Sequence, residues 1–330
     1  MSMSTLSNQV SDRQQIGQQR LDCVICNYRI DPDKATLSAF PCNLRAFADQ
    51  TFHVWRCPTC ETIHCLEAVD LDYYYAQYPG EALSLTAPLR LIYQGLQRRL
   101  TQHGFSVRHS LLDYGCGEGL FLQYLRSHGF AQCSGYDPYA APDQYGNKAV
   151  LDQGPFDYIL LSDVIEHVED PRALLTTLDA LLAPGGRILI GAPNAANLDL
   201  SQPNISDYYN EVHVPYHLHT YTRQVIEALA LEQGWEPVKF FDRAYYDSPW
   251  FGLNARAWNQ YQRLCDGTID AVVSDPIEWG RALTSPRFWF YALFGYWLSF
   301  RTGMDILFQK PVAQAVMFAG PAAAGHPLNS

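Results

Sequence analysis

Three groups of residues in this chain could do chemistry. The first is a pair of Cys-x-x-Cys knuckles, Cys23-Val24-Ile25-Cys26 and Cys57-Pro58-Thr59-Cys60, with 30 residues between them. Each knuckle sets two thiolates on one side of a tight turn. Two knuckles supply four soft ligands in a tetrahedron, which suits Zn²⁺. The second group is Gly115-Cys116-Gly117-Glu118-Gly119, directly after Leu111-Leu112-Asp113-Tyr114. A glycine-rich turn lets the backbone approach a ligand closely, and between a strand and a helix it forms a nucleotide-type cofactor site. The third group is acidic and imidazole: Ser162, Asp163, Glu166 and His167, with His213, His217 and His219 farther on. Histidine is the side chain best suited to take a proton near neutral pH.

The elements that must position these groups can be read from the patterns around them. A dinucleotide turn needs glycine at 120, where the chain has Leu120; a P-loop needs Gly-Lys-Ser/Thr, which is absent. Ala131 to Pro138 reads as a second strand ending at Asp137, 18 positions after Gly119 and close to the offset at which a carboxylate meets ribose hydroxyls. Phe156 to Ser162 is an apolar run that fits a parallel strand covered on both faces. Leu181 to Ile190 gives a helix end, a turn at Gly185-Gly186 and another strand.

The motifs LLDYGCGEG, GYDP, FDYILLSDVIEHVEDP and LLAPGGRILIGAPN stand in one order over about 109–245. In that order they resemble the class I S-adenosylmethionine-dependent methyltransferases. The resemblance implies an α/β, Rossmann-like, doubly wound sheet of seven strands. It implies that Asp113, Gly115, Cys116, Gly117 and Gly119 form the turn that holds the methionine portion of the cofactor, and that Asp137 holds the ribose. Ser162 and Asp163 would lie near the transferred methyl, with Glu166 and His167 facing the acceptor. His167, assisted by Glu166, is the candidate base, and His219 a candidate to reach the acceptor. For each, a cap or core role is the alternative. Asp163-x-x-Glu166-His167 also resembles a divalent-ion cluster of some quinone and catechol O-methyltransferases, where oxygen ligands suit Mg²⁺. The cysteine unit resembles the N-terminal zinc domain of some sugar and small-molecule methyltransferases, which implies structural rather than catalytic zinc. Cys42, Cys65 and His64 are spare ligands.

Of 330 residues, 48% are hydrophobic and 17% charged, with a net charge of −11. Nucleic-acid binding needs a basic footprint, and none is visible as a run, so a small-molecule acceptor is expected. An RNA methyltransferase and a non-catalytic cofactor-binding protein are the alternatives. The expected organisation is a disordered tail over 1–20, with no apolar leader and hence a cytoplasmic protein. A zinc-ribbon-like unit follows over 21–68, then a connector and helix over 69–108. The methyltransferase domain takes 109–330. Tyr73, Tyr74, Tyr75 and Tyr78 are candidates for a lid over the cofactor. The third strand is expected around Lys148 to Leu151. A helical insertion over 247–303 precedes the last strand, placed at Met304–Gln309 or Ala315–Ala319. Within it, Phe288 to Phe300 is too short to span a bilayer. A buried helix, a homodimer interface and peripheral membrane contact are its three readings.

Overall fold

The computed structural model describes residues 18–78, 84–201, 209–298 and 301–312. Most of the expected tail and the alternative last strand at Ala315–Ala319 lie outside these residues. The chain begins with five short strands: β1 (Gln18–Gln19), β2 (Leu37–Pro41), β3 (Thr51–Arg56), β4 (Ile63–Cys65) and β5 (Glu67–Ala68). Gln18 and Gln19 pair with Ala68 and Glu67, so order begins before the expected end of the tail. Helices α1 (Leu71–Tyr75) and α2 (Ala87–Gln102) lead to β6 (Leu111–Tyr114), α3 (Leu120–Ser127), β7 (Cys133–Tyr136), β8 (Phe156–Ser162), α4 (Pro171–Leu181) and β9 (Leu182–Pro193). After these come α5 (Tyr209–Val212), β10 (His219–Thr220), α6 (Arg223–Glu232) and β11 (Glu236–Phe241). Helices α7 (Ala255–Leu264), α8 (Asp270–Val273), α9 (Trp279–Thr284) and α10 (Pro286–Phe294) fill the insertion before β12 (Gly303–Gln309).

The main sheet runs β11-β12-β9-β8-β6-β7. β7, β6, β8 and β9 pair parallel, and β12 runs antiparallel to both of its neighbours, β9 and β11. Successive side chains on a strand point to opposite faces, and the sequence uses both. Leu112, Ile159, Leu161, Ile188 and Ile190 pack on one face with α4 and α6. Leu111, Tyr158, Leu160 and Leu189 pack on the other with α2 and α3. That two-faced burial explains why β8 and β9 read as apolar runs rather than alternating ones.

The expectation of seven strands is corrected to six among the described residues. Lys148–Gln153 forms a 3₁₀ turn, with the Asn147 side chain accepting from Ala149 N at 3.0 Å. The segment after Asp137 carries Pro138 and Pro142 and folds back on itself, Asp137 N donating to Tyr145 O at 3.0 Å. Too little chain then remains for both a helix and a strand, since a parallel crossover takes a dozen residues or more.

A second sheet has the order β10-β4-β3-β2, all antiparallel. Its edge strand β10 arrives from more than 150 residues downstream of β4, pairing His219 with His64. Cys65 N donates to Leu218 O at 3.0 Å, and Leu218 N donates to Glu166 O at 2.8 Å. The cysteine-bearing sheet therefore touches the corner that follows β8.

One buried ion pair fastens the main sheet. Arg99 on α2 reaches Asp305 on β12 at 2.5 Å, and also donates to the carbonyls of Arg243 at 2.9 Å and Ala244 at 3.3 Å. The Asp305 side chain is fully buried. Removing one partner of such a pair strands the other charge, at a cost of about 3–5 kcal/mol. Arg99→Leu is expected to lower unfolding stability by that order in a denaturant titration.

Candidate functional site

The glycine turn is built for a close ligand. Gly115 has φ +81°, and a Cβ there would lie 2.2 Å from Val164 Cγ2. Gly117 has φ +49°, and a Cβ there would meet nothing within 4 Å. One glycine is thus demanded by packing. The other opens a cradle. Asp137 braces it: its Oδ2 accepts from Gly117 N at 2.9 Å and its Oδ1 from Tyr139 N at 2.8 Å. Asp113 is buried beneath the turn, and burial together with the nearby Asp137 pushes its carboxyl up to about 7. Burial, with Asp113 and Asp137 nearby, also pushes the Cys116 thiol up. At the end of β8, Ser162 Oγ is buried without a hydrogen-bond partner among the described residues. Asp163 follows with φ +54°, its carboxyl pushed up to about 7 by burial and by Asp305. An open glycine cradle, a carboxylate beside it and an orphaned hydroxyl together fit a nucleoside cofactor.

Next to this turn the chain gathers Glu166, His167 and His217, whose ligand atoms lie within 4.8 Å of one another. Glu166 is fully buried, and neither carboxylate oxygen has a hydrogen-bond partner among the described residues. Its Oε1 lies 3.9 Å from His217 Nε2. The other ring nitrogens bear on the tautomers. His217 Nδ1 sits 2.8 Å from Glu211 O, and His167 Nδ1 sits 3.1 Å from Tyr216 O. A backbone carbonyl only accepts, so His217 Nδ1 carries the proton and its Nε2 keeps a lone pair, whereas His167 Nδ1 also meets the Tyr75 hydroxyl, which can donate or accept. His213 stands beside them, its ring 5.0 Å from that of His217, with Nδ1 against Asn43 Oδ1 at 2.6 Å. Burial lowers His167 to about 4 and His213 to about 3, and holds His217 well below its usual value. All three rings are therefore neutral at pH 7. Burial, with Asp163 nearby, holds the Glu166 carboxyl well above its usual range.

Tyrosines cover this corner. Tyr75 Oη lies 2.8 Å from His167 Nδ1, and its ring stacks on Tyr139 at 4.1 Å. Tyr78 packs edge-on against His213 and Tyr216. Tyr139 follows the carboxylate that braces the glycine turn, so one stack joins the two halves of the site. The sequence marks these tyrosines as a cluster, but nothing in it points to the Tyr75–His167 bond.

His219 is placed elsewhere. Its Nδ1 lies 2.9 Å from His64 Nδ1, in the interior of the second sheet, where His64 packs on Trp55. The pair joins β4 to β10, and His219 is not among the residues gathered at Glu166. His64 is thereby occupied, and Cys42 and Cys65 lie outside the four-cysteine group. That group, Cys23, Cys26, Cys57 and Cys60, brings its four sulfurs within 4.8 Å of one another. Cys23 to Cys60 spans 3.4 Å and Cys26 to Cys57 3.5 Å. A tetrahedron of Zn–S bonds near 2.3 Å has edges of about 3.8 Å, so the donor set fits that ion. A cleft of about 860 Å³ bordered by Tyr28, Lys34, Arg56, Pro58 and Asp199 lies beside the second cysteine knuckle and includes no residue of the glycine turn or the Glu166 corner. Lys34 pairs with Asp31, and Arg56 donates to the carbonyls of Ala195 and Leu198, so its main cations are already engaged.

A family profile described as a methyltransferase domain matches residues 87–239. The ubiquinone biosynthesis O-methyltransferase of Caulobacter sp. (strain K31) is 31% identical over 121 residues, covering 30% of this chain and 46% of that protein. The enzyme of the same name from Xylella fastidiosa (strain M23) is 30% identical over 135 residues, covering 35% of this chain and 52% of that protein. The chain spans about half the length of these curated relatives. Among solved structures, a SAM-dependent methyltransferase from Archaeoglobus fulgidus is 18% identical with a TM-score of 0.41, covering 72% of this chain and 100% of that one. The glycine turn, Asp137 and the Glu166–His167–His217 corner all fall within the segment that resembles this methyltransferase profile.

Proposed function

We propose that the chain transfers a methyl group from S-adenosylmethionine to a small-molecule acceptor. The observation that carries this reading is the buried Glu166–His167–His217 corner, placed one turn beyond the strand whose end faces the glycine cradle. Bound at that cradle, the cofactor would supply an already activated methyl on a sulfonium. The protein's tasks are then to position the acceptor, exclude water and take its proton. Asp137 would hold the ribose, and Asp113, Gly115, Cys116, Gly117 and Gly119 would line the methionine end. His167 would accept the acceptor's proton at Nε2, its Nδ1–H anchored by the Tyr216 carbonyl. Tyr75 and Tyr139 would exclude water from above.

The O-methyltransferase name of the curated relatives favours an oxygen acceptor. Phenolic, sugar-nucleotide, polyketide-like and lipid-linked acceptors share the required chemistry. The net charge of −11 weighs against RNA. Methyl-labelled cofactor with fractionated host extract tests the reading. Label in small molecules supports it; label confined to RNA or protein, or no transfer at all, overturns it. Asp137→Ala is expected to weaken cofactor binding about tenfold or more, as loss of a charge-assisted contact should. Isothermal titration calorimetry measures this directly.

A second reading of the corner is favoured by its donors. His217, with its Nδ1–H tied to a backbone carbonyl, and His167 stand beside an orphaned carboxylate, which matches the donor set of a divalent-ion site. Glu166, His167 and His217 would hold the ion, which would polarise an acceptor oxygen. Zinc at Cys23, Cys26, Cys57 and Cys60 is proposed as structural. Elemental analysis separates the two sites: Glu166→Gln should remove only an ion held at the corner.

A further inference from the structure

Helix α10 is turned inside out relative to an ordinary surface helix. Its small residue Ala292, together with Gly295 just beyond it, is buried against the α7 region, and Asn254 there donates to Tyr291 O at 3.0 Å. Phe290, Leu293, Phe294 and Trp297 recur at i, i+3, i+4 and i+7, the spacing of one helical stripe. That stripe faces solvent, with exposures of 50%, 50%, 52% and 66%. Trp289 extends it sideways onto Phe251, ring to ring at 5.5 Å. Six such half-exposed side chains present roughly 600 Å² of apolar surface, at about 200 Å² for a whole aromatic. The largest patch on an ordinary monomer is about 300–600 Å².

The flank of this stripe is cationic, against the chain's net charge of −11. The guanidinium groups of Arg256 and Arg287 each lie 5.6 Å from the Tyr291 ring centroid. Burial, with Arg287 nearby, lowers the proton affinity of Arg263. No helix among the described residues is long and apolar enough to cross a membrane, and α10 has only nine residues. An apolar, Trp- and Phe-rich stripe beside fixed cations is what an interfacial helix presents to headgroups and acyl chains. Mating two copies through this face would bring their arginine clusters toward each other, which like charges oppose.

We propose that α10 and the adjoining Phe251 turn dock the protein peripherally on a lipid surface carrying anionic headgroups. The test uses the full chain, with sedimentation on phosphatidylcholine vesicles and on vesicles with about one quarter phosphatidylglycerol. The chain should sediment preferentially with the anionic vesicles, with a blue shift of tryptophan emission. Phe290→Ser/Phe294→Ser should lower partitioning about tenfold or more, since each ring contributes at least one such factor when buried. Arg287→Glu should remove the preference for anionic vesicles. Both variants should keep the parent's thermal midpoint, which shows they are folded. A chain that stays in the supernatant with both vesicles overturns the proposal. So does a dimer in sedimentation velocity that Phe290→Ser/Phe294→Ser dissociates, because a second copy then covers the face.

Discussion

If zinc is held by Cys23, Cys26, Cys57 and Cys60 as proposed, its removal is expected to abolish the proposed methyl transfer, although none of these cysteines belongs to the Glu166–His167–His217 corner. The unit holding these cysteines is too small to be stable on its own core. A structural zinc contributes about 10–16 kcal/mol, as much as the whole stability of an ordinary domain. Its loss should release β3 and β4, which pair across Val54–Arg56 and Ile63–Cys65. β4 is also the partner of β10, and Leu218 links Cys65 to Glu166 through two backbone hydrogen bonds. The corner should loosen when the cysteines do. Hydrogen exchange with and without a chelator would report this, with faster exchange expected at 213–222. Unchanged exchange there after complete metal release would show that the two sheets are energetically independent. Cys57→Ser should reproduce the chelated state.

His167→Ala is the second large effect. A positioned general base contributes about 10²–10⁴ in rate, so turnover should fall by that factor. Cofactor affinity should be retained, because His167 faces Tyr75 and Tyr216 rather than Gly117 or Asp137. The split between kcat and cofactor Kd is the diagnostic: a general loss of folding would move both. Tyr75→Phe should be milder, since the Tyr216 carbonyl still fixes the tautomer. Purified His167→Ala with wild-type turnover would remove it as the base.

The parts of this fold that depend on local pattern were legible in the sequence. The strand–turn–helix around Gly115–Gly119 is local, and so are the apolar run of β8 and the two cysteine knuckles. Each lies where expected. The failures have two causes, one local and one long-range. The third strand was inferred from a family pattern, whereas two prolines and an Asn147-capped turn decided the local outcome. His219 is the histidine the sequence singles out for the acceptor, yet His217, two residues before it, is the one at the corner. One is drawn to Glu166 and the other to His64, because β10 is annexed by a sheet formed 150 residues earlier. No periodicity in the neighbourhood of His219 encodes that partner. The Tyr75–His167 bond is hidden for the same reason: it joins segments 92 positions apart.

The borrowed strand also bears on how this chain could be divided. A cut near residue 69 would leave one fragment with β4 as an uncovered edge, its amide and carbonyl groups free to template pairing with other chains. The other fragment would carry a two-residue strand with no sheet to join. Neither piece is a module that could be shuffled onto a foreign partner and keep its solubility. The halves on either side of such a cut are held together by the β4–β10 pairing.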